Sequence, residues 1–257
     1  MTLKAIIFDV DGTVAETADA KRAAFNQAFA ELGLDWVWNR PIYAQIAATT
    51  RPGKEAEGFA WLRHRDLVDR FTRTGLFHDI RRKQRRHYLN LLEAGAAPLR
   101  QGVARLIGEI LTQRVRLVLK ANGRAEDFET LLFNRFGPEI FDDIHPVVAQ
   151  GTPGPEADLA LYSKCLSAAE ARADQVVAIE DSGVGVQAAT RLVIPTIATP
   201  SLYCARDNFT GARAVLSDLG HPAAPFRLIS GADPGIGHVT VASLAFWQGS
   251  DAQQAAA

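Results

Sequence analysis

Asp9 and Asp11 close the apolar run from Leu3 to Phe8, and Gly12 and Thr13 follow at once. Leu3, Ala5, Ile6, Ile7 and Phe8 predict a strand covered on both faces and broken at Gly12. In extended chain, residues i and i+2 project to the same side, roughly 6.6 Å apart at about 3.3 Å per residue. That gap can straddle one phosphoryl group. One carboxylate can attack phosphorus while the other exchanges a proton with the leaving oxygen, and a divalent cation would offset the crowded charge. An Asp-Gly pair is also ordinary turn chemistry, so this reading needs an answering group elsewhere in the chain.

A second acidic pair supplies it. Gln175 to Ile179 predicts another buried strand, which ends in Glu180-Asp181-Ser182 and is followed by Gly183 and Gly185. Ligands of open parallel sheets bind at the carboxyl ends of the strands, so Asp9, Asp11, Glu180 and Asp181 are expected to meet there. Hard oxygen ligands with positions left for water suit Mg2+. Ser182 is expected to cap the next helix, and the glycines to let backbone approach a ligand closely.

The elements that must position these groups follow from periodicity. Lys21 to Leu32 predicts a helix, with Phe25, Ala28, Phe29 and Leu32 on one face and Gly33 just beyond it. Further helices are predicted at Glu57–Asp66, Leu67–Thr74 and Asp79–Leu92, with no strand among them. An alternating pattern then resumes: helix Val103–Gln113, strand Val115–Leu119, helix Glu126–Arg135, strand Ile144–Val148 and helix Asp158–Leu166. After the strand at Gln175 come helix Gly183–Arg191, strand Ile194–Ala198, a short strand near Val215 and a helix within Val239–Trp247. This rhythm predicts an α/β fold, a doubly wound parallel, Rossmann-like sheet with an inserted helical cap. The core would comprise residues 1–15 and 93–257 and the cap residues 16–92, with hinges at Val14–Glu16 and Gly95–Arg100. Such a cap would close over the strand ends and exclude water. Within it, Arg51 and Lys54 are candidate phosphate contacts.

Composition narrows the partners. A chain of 257 residues, 47% hydrophobic, can bury a sizeable core and carry a second lobe. A net charge of -1 argues against nucleic acid or an anionic membrane surface as partner. The basic run Arg81 to His87 reads as the polar face of a helix, and Trp36 and Trp38 as structural aromatics. Cys165 and Cys204 form neither a metal-ligand spacing nor a disulfide framework. With no apolar run near the ~20 residues of a membrane span and an N-terminus that enters a strand directly, a cytoplasmic monomer is expected.

Asp9-Val10-Asp11-Gly12-Thr13 resembles the DxDGT-type hallmark of the haloacid dehalogenase-like phosphohydrolases. Within them the chain resembles the CbbY group of sugar bisphosphate phosphatases, through Asp11 to Thr17, Gly33 to Trp38 and Ala178 to Ser182. The resemblance implies that Asp9 is the nucleophile and Asp11 the acid and base. It also implies that Asp9, the Asp11 carbonyl and Asp181 hold Mg2+ with Glu180 nearby, and that Gly12, Thr13 and Glu16 lie at the substrate. The implied substrate is a small sugar phosphate such as xylulose 1,5-bisphosphate, in support of Rubisco and the Calvin cycle. Two departures stand out. Where the family has Ser or Thr to hold phosphoryl oxygens, this chain has Ala121, with Asn122 as a neighbouring donor. Where the resemblance implies a lysine ahead of a helix that orients the nucleophilic carboxylate and offsets negative charge, this chain has Thr152 or, in another register, Glu156; Lys120, Arg124 and Lys164 are the candidate replacements. A binding or regulatory homologue without turnover, or a sugar phosphomutase, are the alternative functions.

Overall fold

The computed structural model describes residues 2–49, 75–122, 124–149 and 155–250. Seven strands form one sheet in the order β3-β2-β1-β4-β5-β6-β7. They are β1 Ala5–Asp9, β2 Arg116–Ala121, β3 Ile144–Val148, β4 Val176–Glu180, β5 Thr196–Ala198, β6 Ala214–Leu216 and β7 Leu228–Gly231. All neighbours are parallel except the final β6–β7 pair. β7 escaped sequence reading because its short run Leu228-Ile229-Ser230-Gly231 has neither length nor a buried face to mark it.

The helices are α1 Thr17–Glu31, α2 Arg40–Thr49, α3 Leu76–Glu93, α4 Val103–Thr112, α5 Ala125–Phe136, α6 Pro155–Ala169, α7 Gly183–Arg191 and α8 Val241–Gly249. The helices expected at Glu57–Asp66 and Leu67–Thr74 lie outside the described residues, as do Arg51 and Lys54. One sheet face buries Ile6, Phe8, Leu117, Leu119, Val177 and Ile179 under α4, α5 and α8. The other buries Ala5, Ile7, Val118, Val176 and Ala178 under α6 and α7. Alternation along each strand thus sends successive residues to opposite, fully covered faces, which explains the near-continuous apolar runs.

Helices α1 to α3 leave the chain after β1. They pack around their own core of Phe25, Phe29, Trp38, Tyr43, Ile46 and Ile80. Trp38 is buried and its ring lies 4.7 Å from Phe25 and 5.0 Å from Phe29, a structural role as its surroundings demand. The outgoing and returning connections run side by side: Ala15 bridges Leu99 antiparallel, Arg100 N–H donates to the Val14 carbonyl, and Glu16 N–H donates to the Pro98 carbonyl.

Candidate active site

Register places the acidic residues. Asp9 ends β1 directly opposite Lys120 of β2, and Phe8 pairs with Ile179, so Glu180 of β4 falls in the next position on the other flank. Counting in twos from Ile7, Val118 and Ala178 puts Asp9, Lys120 and Glu180 on the same sheet face. They form one row across three strands at the carboxyl edge. Lys120 Nζ lies 2.6 Å from Asp9 Oδ1 and 2.9 Å from Glu180 Oε1. Tyr162 of α6 donates its hydroxyl to the same Glu180 oxygen at 2.6 Å, and its ring centroid is 5.3 Å from Nζ. Thr13 donates to Asp9 Oδ2 at 3.3 Å.

Asp181 completes the cluster. Ligand oxygens of Asp9, Glu180 and Asp181 lie within 4.8 Å of one another, and all three residues are buried. Burial, reinforced by Glu180, pushes the Asp181 carboxyl up to about 7. Burial likewise raises Asp9 well above the usual carboxylate range; Lys120 opposes that shift, while Glu180 and Asp181 add to it. Burial also acts to strip Lys120 of its proton, but Asp9 and Glu180 outweigh it and hold the ammonium protonated. Three buried carboxylates against one ammonium leave an excess of negative charge that a divalent cation would neutralise, and the donors are the hard oxygens such an ion prefers. The site therefore fits a metal ion.

The Asp11 side chain turns away from this cluster. Its Oδ1 accepts from Thr17 Oγ1 at 2.5 Å and from Lys21 Nζ at 2.8 Å. Burial would raise its carboxyl, but Lys21 and these hydrogen bonds outweigh burial and hold it below the ordinary value. Sequence reading missed both partners because it started α1 at Lys21. The helix begins at Thr17, so Thr17 and Lys21 stand one turn apart on the face turned to Asp11. Together with Val10, Tyr88, Ala121, Asn122, Arg124, Asp127 and Phe128 they line a small cleft between the strand ends and helices α1, α3 and α5.

The remaining expected site residues are distributed as follows. Gly12 has φ +84°, and a Cβ there would collide with Asp181 Oδ2. Ser182 caps α7 by accepting from Gly185 N–H at 3.1 Å, as expected. Glu16 pairs with Arg100 Nε at 3.3 Å. Ala121 closes β2 and is buried. Asn122 donates its amide to Asp158 at 3.3 Å. Of the candidate cations, Lys120 enters the cluster, whereas Arg124 and Lys164 are exposed. Glu156 pairs with Arg191 at 3.1 Å, with four-fifths of its side chain exposed.

Arg100 is a site-framing residue with no local sequence signal. Its guanidinium donates to the carbonyls of Gly12 (2.7 Å), Thr199 (2.5 Å), Pro200 (2.9 Å) and Ser217 (3.2 Å), tying the loops after β1, β5 and β6 together.

The model of the haloacid dehalogenase-like hydrolase family matches residues 6–199. The chain belongs to that family. It is 36% identical to protein CbbY (plasmid) of Cupriavidus necator over 87% of this chain and 88% of that one. It is 35% identical to protein CbbY of Cereibacter sphaeroides over 83% and 91%. Crystal structures of CbbY from Rhodobacter sphaeroides, one with phosphate and one of a mutant with xylulose-(1,5)bisphosphate, superpose with a TM-score of 0.68. Each is 30% identical to this chain, over 84% of it and 95% of theirs. The chain thus falls in the CbbY group and is an enzyme, a phosphoric monoester hydrolase. Among the described residues no helix is long and apolar enough to cross a membrane.

Proposed function

We propose that this protein is a Mg2+-dependent phosphatase of a small sugar (bis)phosphate, working through an aspartyl phosphate on Asp9. The observation behind this reading is the convergence of Asp9, Glu180 and Asp181 at adjacent strand ends, with ligand oxygens within 4.8 Å of one another. Asp9, Asp181 and the Asp11 carbonyl would hold the ion, which when bound neutralises the phosphoryl oxygens and the cluster alike. The complex of the Rhodobacter relative supports xylulose 1,5-bisphosphate as substrate. With it comes the proposal of a cytoplasmic role in support of Rubisco and carbon fixation.

In this mechanism an Asp9 oxygen attacks phosphorus in line and the bond to the sugar oxygen breaks. Asp11, protonated from solvent once its hydrogen bonds to Thr17 and Lys21 are released, gives that proton to the leaving oxygen, then removes a proton from the water that hydrolyses the aspartyl phosphate. Both groups that hold Asp11 ionised, Thr17 and Lys21, belong to α1. The proton on Asp11 is therefore coupled to where that helix sits over the site. Ala121 brings no hydroxyl to the phosphoryl oxygens, so backbone N–H groups and Thr13 take a larger share of holding them.

Purified protein should release phosphate from sugar bisphosphates with Mg2+ and stop when the metal is chelated. Asp9→Asn should lower the rate by more than roughly 10^3-fold, as loss of a nucleophile does elsewhere. Phosphate release by the wild type no faster than by Asp9→Asn would contradict the proposal.

A further inference from the structure

Lysine is among the side chains least often fully buried, yet Lys120 is only 1% exposed inside the apolar run Leu117-Val118-Leu119-Lys120-Ala121. Its surroundings explain why it stays. Strand register sets it beside Asp9, the face it shares with Asp9 and Glu180 brings it between two carboxylates, and both ion pairs are within 2.9 Å. Tyr162 closes the site from α6 by donating to the same Glu180 oxygen that Lys120 binds. Glu180 is pressed from the other side by α7, where a Cβ at Gly185 would collide with its carboxylate. Lys120 is thus fixed by a row of strand pairs and by two helices.

We infer that Lys120 is the positioning residue of this active site, orienting the Asp9 carboxylate and balancing the acidic cluster from strand β2, work that the family resemblance assigns to a lysine ahead of α6. The inference rests on the phosphatase reading for what Asp9 does. The segment before α6 carries no lysine in either register. Of the two registers, the one that selects Glu156 ends in an outward pair with Arg191. Relocation to β2 places the cation on rigid sheet, one residue before Ala121. It also sets Lys120 in competition with a divalent ion, because both draw on the negative charge of the same three carboxylates. Lys120 thereby tempers metal affinity while holding Oδ1 of Asp9, and Thr13 donates to Oδ2.

The test compares wild type with Lys120→Met, measuring Mg2+ binding by calorimetry and phosphate release from xylulose 1,5-bisphosphate. Turnover should fall at least roughly 100-fold, with KM changing far less. Mg2+ should bind about tenfold more tightly, since a competing positive charge is gone. A merely structural lysine would lower both together. Mg2+ affinity unchanged or weakened in a folded variant, or turnover within about threefold of wild type, would overturn the inference. Should the wild type hydrolyse nothing while Lys120→Met still binds Mg2+ more tightly, the phosphatase reading fails and the placement of Lys120 in the metal cluster stands. Should Lys120→Met not fold, Tyr162→Phe removes only the hydroxyl behind Glu180. A kcat lowered about fivefold at unchanged KM supports the inference, and an unchanged kcat overturns it.

Discussion

Gly12 shows how tightly single residues are constrained here. It combines a left-handed φ of +84° with a position where a Cβ would strike the Asp181 carboxylate. Gly12→Ala should cost about 1–2 kcal/mol for the backbone alone, and displacement of Asp181 should weaken Mg2+ binding in addition. A thermal melt and a Mg2+ titration check both; unchanged metal affinity would contradict the placement of Asp181. At this scale the two acidic pairs were legible because each is a short local pattern at the end of an apolar run. Lys120 was legible as one of three candidate cations, and only the pairing of β2 with β1, which sets it opposite Asp9, singles it out. Asn122 shows the converse. Its amide type suggests a phosphoryl contact, and the structure adds a partner that sequence distance hides, Asp158 on α6, to which the amide donates.

Among the described elements, α1 and α3 pack most extensively on one another, and the basic run of α3 ties them together. Lys83, Arg86 and His87 all meet Glu31 at the end of α1, at 2.5, 2.5 and 2.7 Å. Arg85 reaches instead to Glu126 and Asp127 of α5, connecting the lobe to the sheet domain. The polar face expected for this run is therefore largely paired within the molecule. The Lys83 hydrogen bond, followed by those of Arg86 and His87, lowers the Glu31 carboxyl from 4.5 to about 2. An acid whose folded value is depressed adds stability above its unfolded value, and loses it as pH falls through the folded one. Glu31→Gln should therefore melt below wild type at pH 6, with the gap closing between about pH 4.5 and 2. A gap that persists at pH 2 would contradict this assignment. Helix identity was readable here from the 3.6-residue spacing of Phe25, Ala28 and Phe29, whereas the start of α1 was not. Its first turn is set by Thr17 and Lys21 reaching Asp11, a contact that no apolar stripe reports.

For the whole molecule, strand–helix alternation made the doubly wound sheet legible, since each buried strand needs helices on both faces. The final antiparallel strand was not, being a four-residue run with no buried face, and nor was the Arg100 clamp, which joins segments far apart in sequence. Arg100 alone gathers carbonyls from Gly12 through Ser217. The assembled molecule brings three carboxylates and one ammonium to a single sheet edge, beside a cleft lined by α1, α3 and α5. In the proposed mechanism the phosphoryl group is transferred to Asp9. The direct measurement quenches the enzyme during turnover of xylulose 1,5-bisphosphate with Mg2+, reduces it with borohydride and maps the products by mass spectrometry. An acyl phosphate on Asp9 would be recovered as homoserine at position 9, absent when substrate is omitted. Steady phosphate release with Asp9 unmodified, or with the reduction product at another carboxylate, would contradict the account.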